Sequence, residues 1–165
     1  MMDNLTTKER NRQIKNKILL TFVSILAIVF FILYFFDLTH SNPQMVIRTI
    51  NNSPIELEYA KTNNQQQLGL SNRKSMPANH AMLFMFLKEQ PLFFWMHNMK
   101  FPIDIIWLDG ACKIIDISPS QQPCEENKSC PVISPKGNAK FVLETVSGFA
   151  EANHLIINQN LDICR

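Results

Sequence analysis

Nineteen consecutive residues, Ile18 to Phe36, carry no formal charge, and only Thr21, Ser24 and Tyr34 among them have polar side chains. At a rise of 1.5 Å per residue, a helix of about 20 residues matches the roughly 30 Å hydrocarbon core of a bilayer. A core helix of a soluble domain would carry a polar stripe, and this run has none. Residues 18–36 are therefore predicted to cross the lipid bilayer once, with Tyr34 near one interface. Such a segment is either an uncleaved anchor or a cleaved signal peptide. The run is longer than the apolar region of a signal, and Tyr34-Phe35-Phe36-Asp37-Leu38-Thr39-His40 lacks a small-residue cleavage pattern, which favours the anchor.

The charges sort along the chain. Residues 1–17 hold Lys8, Arg10, Arg12, Lys15 and Lys17 against Asp3 and Glu9, a net of +3. Basic residues flanking a span stay in the cytoplasm. The expected order is a cytoplasmic basic tail (1–17), the transmembrane helix (18–36), a linker with Ser41, Asn42 and Pro43 (37–44), and an extracytoplasmic domain (45–165). In a bacterium that domain faces the periplasm or the outer side of the inner membrane. It carries 11 basic and 11 acidic residues. A nucleic-acid binder needs a basic face to meet phosphate, so no nucleic-acid partner is expected. A composition of 46% hydrophobic and 18% charged residues excludes a largely disordered chain.

The four cysteines are Cys112, Cys124, Cys130 and Cys164. Cys124 and Cys130 enclose a charged, polar segment flanked by prolines. That setting suits a surface disulfide closing a small loop, and an oxidising compartment would preserve it. A zinc site competes, but structural zinc sites use shorter spacings and a second ligand pair, and no nearby His completes a set here. Cys112 and Cys164 are left either paired or as free thiols.

Met45–Ile50 and Ile55–Ala60 read as a hairpin about the turn Asn51-Asn52-Ser53-Pro54. Thr62 is a helix N-cap before residues 63–70, with Gly69 near the end. Apolar runs at 81–86, 91–98 and 102–108 read as strands. Asp109-Gly110 marks a tight turn, and 113–117 continues as its partner. Residues 118–138 hold four of the nine prolines and form an irregular excursion. Phe141–Glu144 is a strand, 148–154 a short helix and 155–164 a closing strand region. The pattern predicts a mostly β (α+β) fold: a compact antiparallel, barrel-like or sandwiched sheet with two short helices.

Phe94-Trp95-Met96-His97-Asn98-Met99-Lys100-Phe101-Pro102-Ile103-Asp104-Ile105-Ile106-Trp107-Leu108-Asp109 resembles the signature of the domain of unknown function 192 family, FWMKNT-x-x-P-L-D-I-x-F-x-D. Gly69-Leu70 with Arg73 is similar to its G-L-M-x-R, Ala81–Phe86 to its G-M-L-F-x-F, and Phe141–Glu144 to its Y-V-L-E, with Gly148 following. The matches run in family order over about residues 46–163. His97 replaces the usual Lys, Met99 the usual Thr and Ser71 the usual Met. The resemblance implies a small β-rich domain, often behind a signal or anchor. It implies no reaction.

Six residues are candidates for ligand binding: Asp104, Asn98, Arg73, Trp95, His97 and Glu144. Asp104 falls on the same strand face as Ile106 and Leu108. A carboxylate there is costly unless paired, so either Arg73 or backbone N–H groups satisfy it, or it serves a pocket with Asn98 and Arg73. Trp95, with Trp107, offers an apolar platform for a sugar ring or peptide, or both belong to the core. His97 titrates near neutral pH and is a candidate base or ligand. Glu144 is a candidate second carboxylate beside Asp104. No hydrolase, nucleotide-binding or zinc-protease motif is present, and no cofactor or metal is expected. The expected function is a non-catalytic envelope module binding a glycan, peptide or partner protein. The rival is a small hydrolase or transferase using Asp104, Glu144 or His97.

Overall fold

The computed structural model describes residues 3–39, 45–124 and 129–165. The chain divides into two units, Met1–Asn42 and Pro43–Arg165. The first contains one helix, α1 (Asp3–Thr39). Within it, the stretch Arg12–Tyr34 (23 residues) is, by length and composition, long and apolar enough overall to cross a bilayer. Two hydroxyls in the apolar run are satisfied within the helix: Thr21 Oγ1 donates to the Ile18 carbonyl at 2.8 Å and Ser24 Oγ to the Thr21 carbonyl at 2.9 Å. Hydrocarbon offers such groups no other partner. Of the expected linker, residues 40–44 lie outside the described residues, as do the loop residues 125–128.

The second unit is one six-stranded sheet with two short helices. Its strands are β1 (Met45–Ile50), β2 (Ser53–Ala60), β3 (His80–Gln90), β4 (Ile103–Leu108), β5 (Ile114–Gln121) and β6 (Ala139–Val146), in the spatial order β1-β2-β3-β6-β4-β5. Helix α2 (Asn63–Leu68) follows β2, and α3 (Phe149–Ala152) follows β6. The mostly β class and both short helices match the sequence expectation. Two details differ. The sheet is open, ending at β1 and β5 instead of closing into a barrel. It is also mixed, because β2 and β3 run parallel while every other pair is antiparallel. Parallel neighbours need a long crossover, and residues 61–79, with α2, supply it. Thr62 caps α2 in a full capping box with Gln65, and Gly69 ends the helix at φ +49°.

Two apolar stretches expected as strands are not strands. Pro91–Asn98 makes a single bridge, Phe94 to Ile133, and turns at Asn98 with φ +58°. Residues 155–164 make one bridge, Lys113 to Asn160. Both are covers, each laid across one face of the sheet. Ile106, Leu108 and Leu143 pack with Phe149, Leu155, Leu161 and Ile163 on one face. Phe84, Ile105, Trp107 and Val142 pack with Leu92, Met96 and Met99 on the other. Covered on both sides, all six residues of β4 are buried. A strand buried on both faces reads as a continuous apolar run, and the covering segments read the same way because they too are apolar.

Both cysteine pairs are bridged. Cys112–Cys164 ties the C-terminal cover to the turn after β4, with Cα atoms 5.9 Å apart, and Cys124–Cys130 closes the small loop, at 5.5 Å. Native protein is therefore expected to resist alkylation at all four cysteines until a reductant is added. Labelling of any of them in unreduced, folded protein would remove its bridge. By the chain-entropy model, a Cys124→Ser, Cys130→Ser double variant is expected to lose about 2 kcal/mol of unfolding free energy.

Candidate functional site

Strand register builds one end of the site. Glu58 on β2 pairs with Met82 on β3, Met82 with Glu144 on β6, and Glu144 with Ile105 on β4. Directly opposed residues share a face, so two carboxyls stand in one row with a methionine between them. Arg73, from the crossover after α2, grips Glu58 with two parallel bonds of 2.7 Å. Glu144 has no such partner. It is 6% exposed, and its Oε2 makes no hydrogen bond. Burial pushes this carboxyl up from the ordinary 4.5 to about 8, while the charge of Arg73 pulls more weakly the other way. At neutral pH Glu144 is a protonated acid that can donate a hydrogen bond.

Glu144 lines a cleft of about 240 Å³, together with Gln66 and Gly69 from α2 and its cap, and with Phe84, Phe94 and Trp95. Aromatic rings meet edge to face along its wall: Phe84 with Phe94 at 5.0 Å, Phe94 with Trp107 at 5.3 Å and Phe86 with Phe94 at 6.5 Å. Gln66 Nε2 donates to the Met85 and Ala60 carbonyls at 2.8 and 3.3 Å, which fastens α2 to the sheet. Two rings stand open at the cleft, Phe93 at 70% and Trp95 at 63% exposed. Gly69 keeps the floor clear. A Cβ there would lie 3.2 Å from the Phe84 ring and 3.9 Å from Glu144 Oε2. A larger hollow of about 540 Å³ borders the Cys112–Cys164 bridge. It is lined by the charged side chains of Lys140, Asp162 and Arg165 and holds no unpartnered buried side-chain atom.

The six sequence candidates do not converge. Asp104 pairs in register with Thr145, not Glu144, so it lies on the opposite face of the sheet. Its carboxylate accepts from the backbone N–H groups of Ser120 at 2.8 Å, Gly148 at 3.2 Å and Ala150 at 2.9 Å. The expected pairing of Asp104 with Glu144 is thereby overturned by the two-residue pleat. Arg73 meets Glu58 in place of Asp104. His97 and Asn98 are exposed on the turn beyond Trp95, and their carbonyls accept from Ser71 Oγ at 3.2 Å and the Asn72 N–H at 2.9 Å. The His97 ring lies 6.4 Å from that of Trp95. Trp107 is buried, with its Nε1 donating to Ser118 Oγ at 3.0 Å, and so gives no open platform. Trp95 and Glu144 alone among the candidates line the cleft. Sequence reasoning missed Glu58, Gly69, Phe84 and Phe93. The alternation of Ile55–Ala60 did place Glu58 opposite the apolar side chains, but its strand neighbour was not legible. Among the described residues no three His, Cys, Asp or Glu side chains group as metal ligands.

The model of the DUF192 family, described as an uncharacterized ACR, matches residues 46–163. No curated protein matches the chain. Two solved structures are similar. A proposed transcription regulator from Sinorhizobium meliloti 1021 is 25% identical, with a TM-score of 0.62 over 67% of this chain and 82% of its own. A protein of unknown function from Novosphingobium aromaticivorans DSM 12444 is 22% identical, with a TM-score of 0.65 over 74% of this chain and 88% of its own.

Proposed function

Since the chain belongs to the DUF192 family, which has no assigned reaction, we propose that its β-rich unit is a non-catalytic binding module, anchored by residues 18–36 at the outer face of a membrane, with the Glu144 cleft as its ligand site. One observation carries the binding role: a buried, unpartnered acid at the base of a cleft with open aromatic rings at its edge. Buried polar groups are nearly always paired, and a ligand would complete the pair. The apolar helix, the basic residues before it and the two disulfides support an anchor with the module in an oxidising compartment. The regulatory role proposed for the Sinorhizobium protein is not carried over, because the module has equal numbers of basic and acidic residues.

The hydrolase reading fares less well. A paired-carboxylate mechanism needs both groups at one bond, and Asp104 and Glu144 occupy opposite faces. Glu58 shares the face of Glu144 but is already held by Arg73.

Full-length protein in detergent micelles, applied to an array of glycans and peptides, tests the binding role. Wild type is expected to retain a defined set of spots, and a Trp95→Ala, Phe93→Ala variant to lose them while keeping its unfolding midpoint. Both rings are exposed, and such surface changes usually cost under about 0.5 kcal/mol. An array pattern unchanged in that variant would remove the cleft from consideration.

A further inference from the structure

We propose that the free edge of β1 pairs with the same edge of a second copy of this chain, antiparallel and about a two-fold axis through Ile47, so that two six-stranded sheets continue as one. This pairing is independent of the cleft and its ligand.

The two edges of the sheet are unlike. A sheet edge presents a row of unpaired N–H and C=O groups, and proteins blunt it with prolines, bulges, charges or covering chain. β5 is blunted in this way. Pro119 lies within it, Ser120 stands at φ +49°, and its register with β4 shifts between Ile103 and Ile105 and again between Trp107 and Leu108. The C-terminal cover also claims part of that edge: the Ile114 N–H donates to the Gln159 carbonyl and the Asn158 N–H to the Ile114 carbonyl, both at 2.8 Å. β1 has none of this. All of its residues pair with β2 without a break, it contains no proline, and Arg48 is its only charge. Hairpin parity identifies its free groups. Asn51 and Asn52, at φ +47° and +69°, form a two-residue turn, so Ile50 and Ser53 flank it as a hydrogen-bonded pair. Ile50, Arg48 and Val46 then turn their backbone groups to β2, and Thr49, Ile47 and Met45 turn theirs outward. Among the described residues no backbone bond outside the ladder reaches these three. The Ile47 carbonyl accepts from Arg48 Nη1 at 3.3 Å, which leaves it a second lone pair. Ile47 is 71% and Met45 48% exposed. The outward set is self-complementary. With Ile47 opposite the Ile47 of a second copy, each Met45 falls opposite a Thr49, and every such pair exchanges two backbone bonds. Other registers that keep the outward groups facing one another shorten the overlap. Arg48, on the other face, meets Val46 of the second copy, so no like charges are opposed. The two Met45 residues then lie about 15 Å apart, four residues of strand at about 3.4 Å each, so both chains can enter one bilayer. Confinement there raises the local concentration, which an edge this short requires.

Full-length protein in phosphatidylcholine vesicles tests the pairing through single introduced cysteines, since all four native cysteines are bridged. Ile47→Cys puts two Cα atoms about 5.5 Å apart, within disulfide reach, whereas Thr49→Cys leaves them about 15 Å apart. Under copper–phenanthroline oxidation, Ile47→Cys is expected to form dimer at least about tenfold faster than Thr49→Cys or Met45→Cys alone. A mixture of Met45→Cys and Thr49→Cys is expected to cross-link within about threefold of the Ile47→Cys rate. Equal rates at the three positions alone would overturn the register. Energy transfer between copies labelled at Ser53→Cys reads association with no cysteine on the edge. Ile47→Pro removes only an outward N–H and is expected to lower transfer at least about fivefold while the unfolding midpoint holds. Ile47→Lys, which sets a charge on the open edge, is expected to do the same. Transfer that survives both substitutions would overturn β1 as the meeting surface. No transfer before substitution, with slow hydrogen exchange over residues 45–50, would overturn the second copy as occupant in favour of an extended segment of other origin.

Discussion

Asp104→Ala is expected to lower the unfolding free energy of the β-rich unit by about 2–4 kcal/mol in urea titrations. Asp104 is 1% exposed, and its carboxylate gathers three N–H groups from two separate stretches of chain. Ser120 closes β5, and Gly148 and Ala150 begin α3, so one side chain fixes an edge strand and the start of a helix to β4. Alanine leaves all three donors without an acceptor. The Ala150 N–H is buried and bears the full penalty, while Ser120 and Gly148 are exposed enough for water to recover part of theirs. Asp104→Asn keeps one acceptor oxygen and is expected to cost about half as much. Cleft binding in the remaining folded protein should be untouched, because the residue lies on the other face. A loss below about 0.5 kcal/mol for the alanine variant would show that the three bonds are not what holds α3 in place.

Asp104 also shows what a sequence can and cannot disclose. Its burial follows from its place in an apolar run, and that backbone N–H groups satisfy it was one of the outcomes open to a carboxylate there. Which N–H groups was not readable, since two of them lie 44 and 46 residues away. Local signals are the most legible: the hairpin about Asn51–Pro54, the Thr62 N-cap and the Asp109-Gly110 turn each depend on a few neighbouring side chains. The aromatic run 91–98 has the composition of a strand yet lies over the sheet, because a segment that covers a sheet must be as apolar as a strand within one. The sharpest gap concerns Glu144. A period of two puts Asp104 and Glu144 in apolar strands equally well, and only the pairing of Ile105 with Glu144 separates their faces. Register between strands some 40 residues apart depends on packing across the whole sheet, which no local pattern encodes.

Glu144 yields the second large effect, through pH. The stability of the wild-type unit is expected to fall as pH rises from about 4.5 to about 8, by on the order of 4 kcal/mol relative to Glu144→Gln. The sign follows from proton binding. In the unfolded chain the carboxyl loses its proton near its ordinary value of 4.5, whereas in the folded unit it keeps it to about 8. Between those values the folded state binds more protons, so each rise in pH favours unfolding, by at most about 1.4 kcal/mol per pH unit. The stabilising contribution is complete below 4.5 and gone above 8. The surroundings set this sign. Met82 and Ile105 flank the carboxyl from β3 and β4, and Gly69 covers it from the cap of α2, all without charge. Arg73 alone lowers it, and Arg73 is committed to Glu58 on β2. His97 and Lys100 are exposed on the turn beyond the cleft. Glutamine matches the shape of the neutral acid and has no proton to lose, so subtracting its urea midpoints from those of wild type over pH 4 to 9 cancels the other titrating groups. Parallel curves across that interval would mean that the carboxyl reaches water or a cation in solution, and the cleft would then lack the neutral donor on which its ligand chemistry depends.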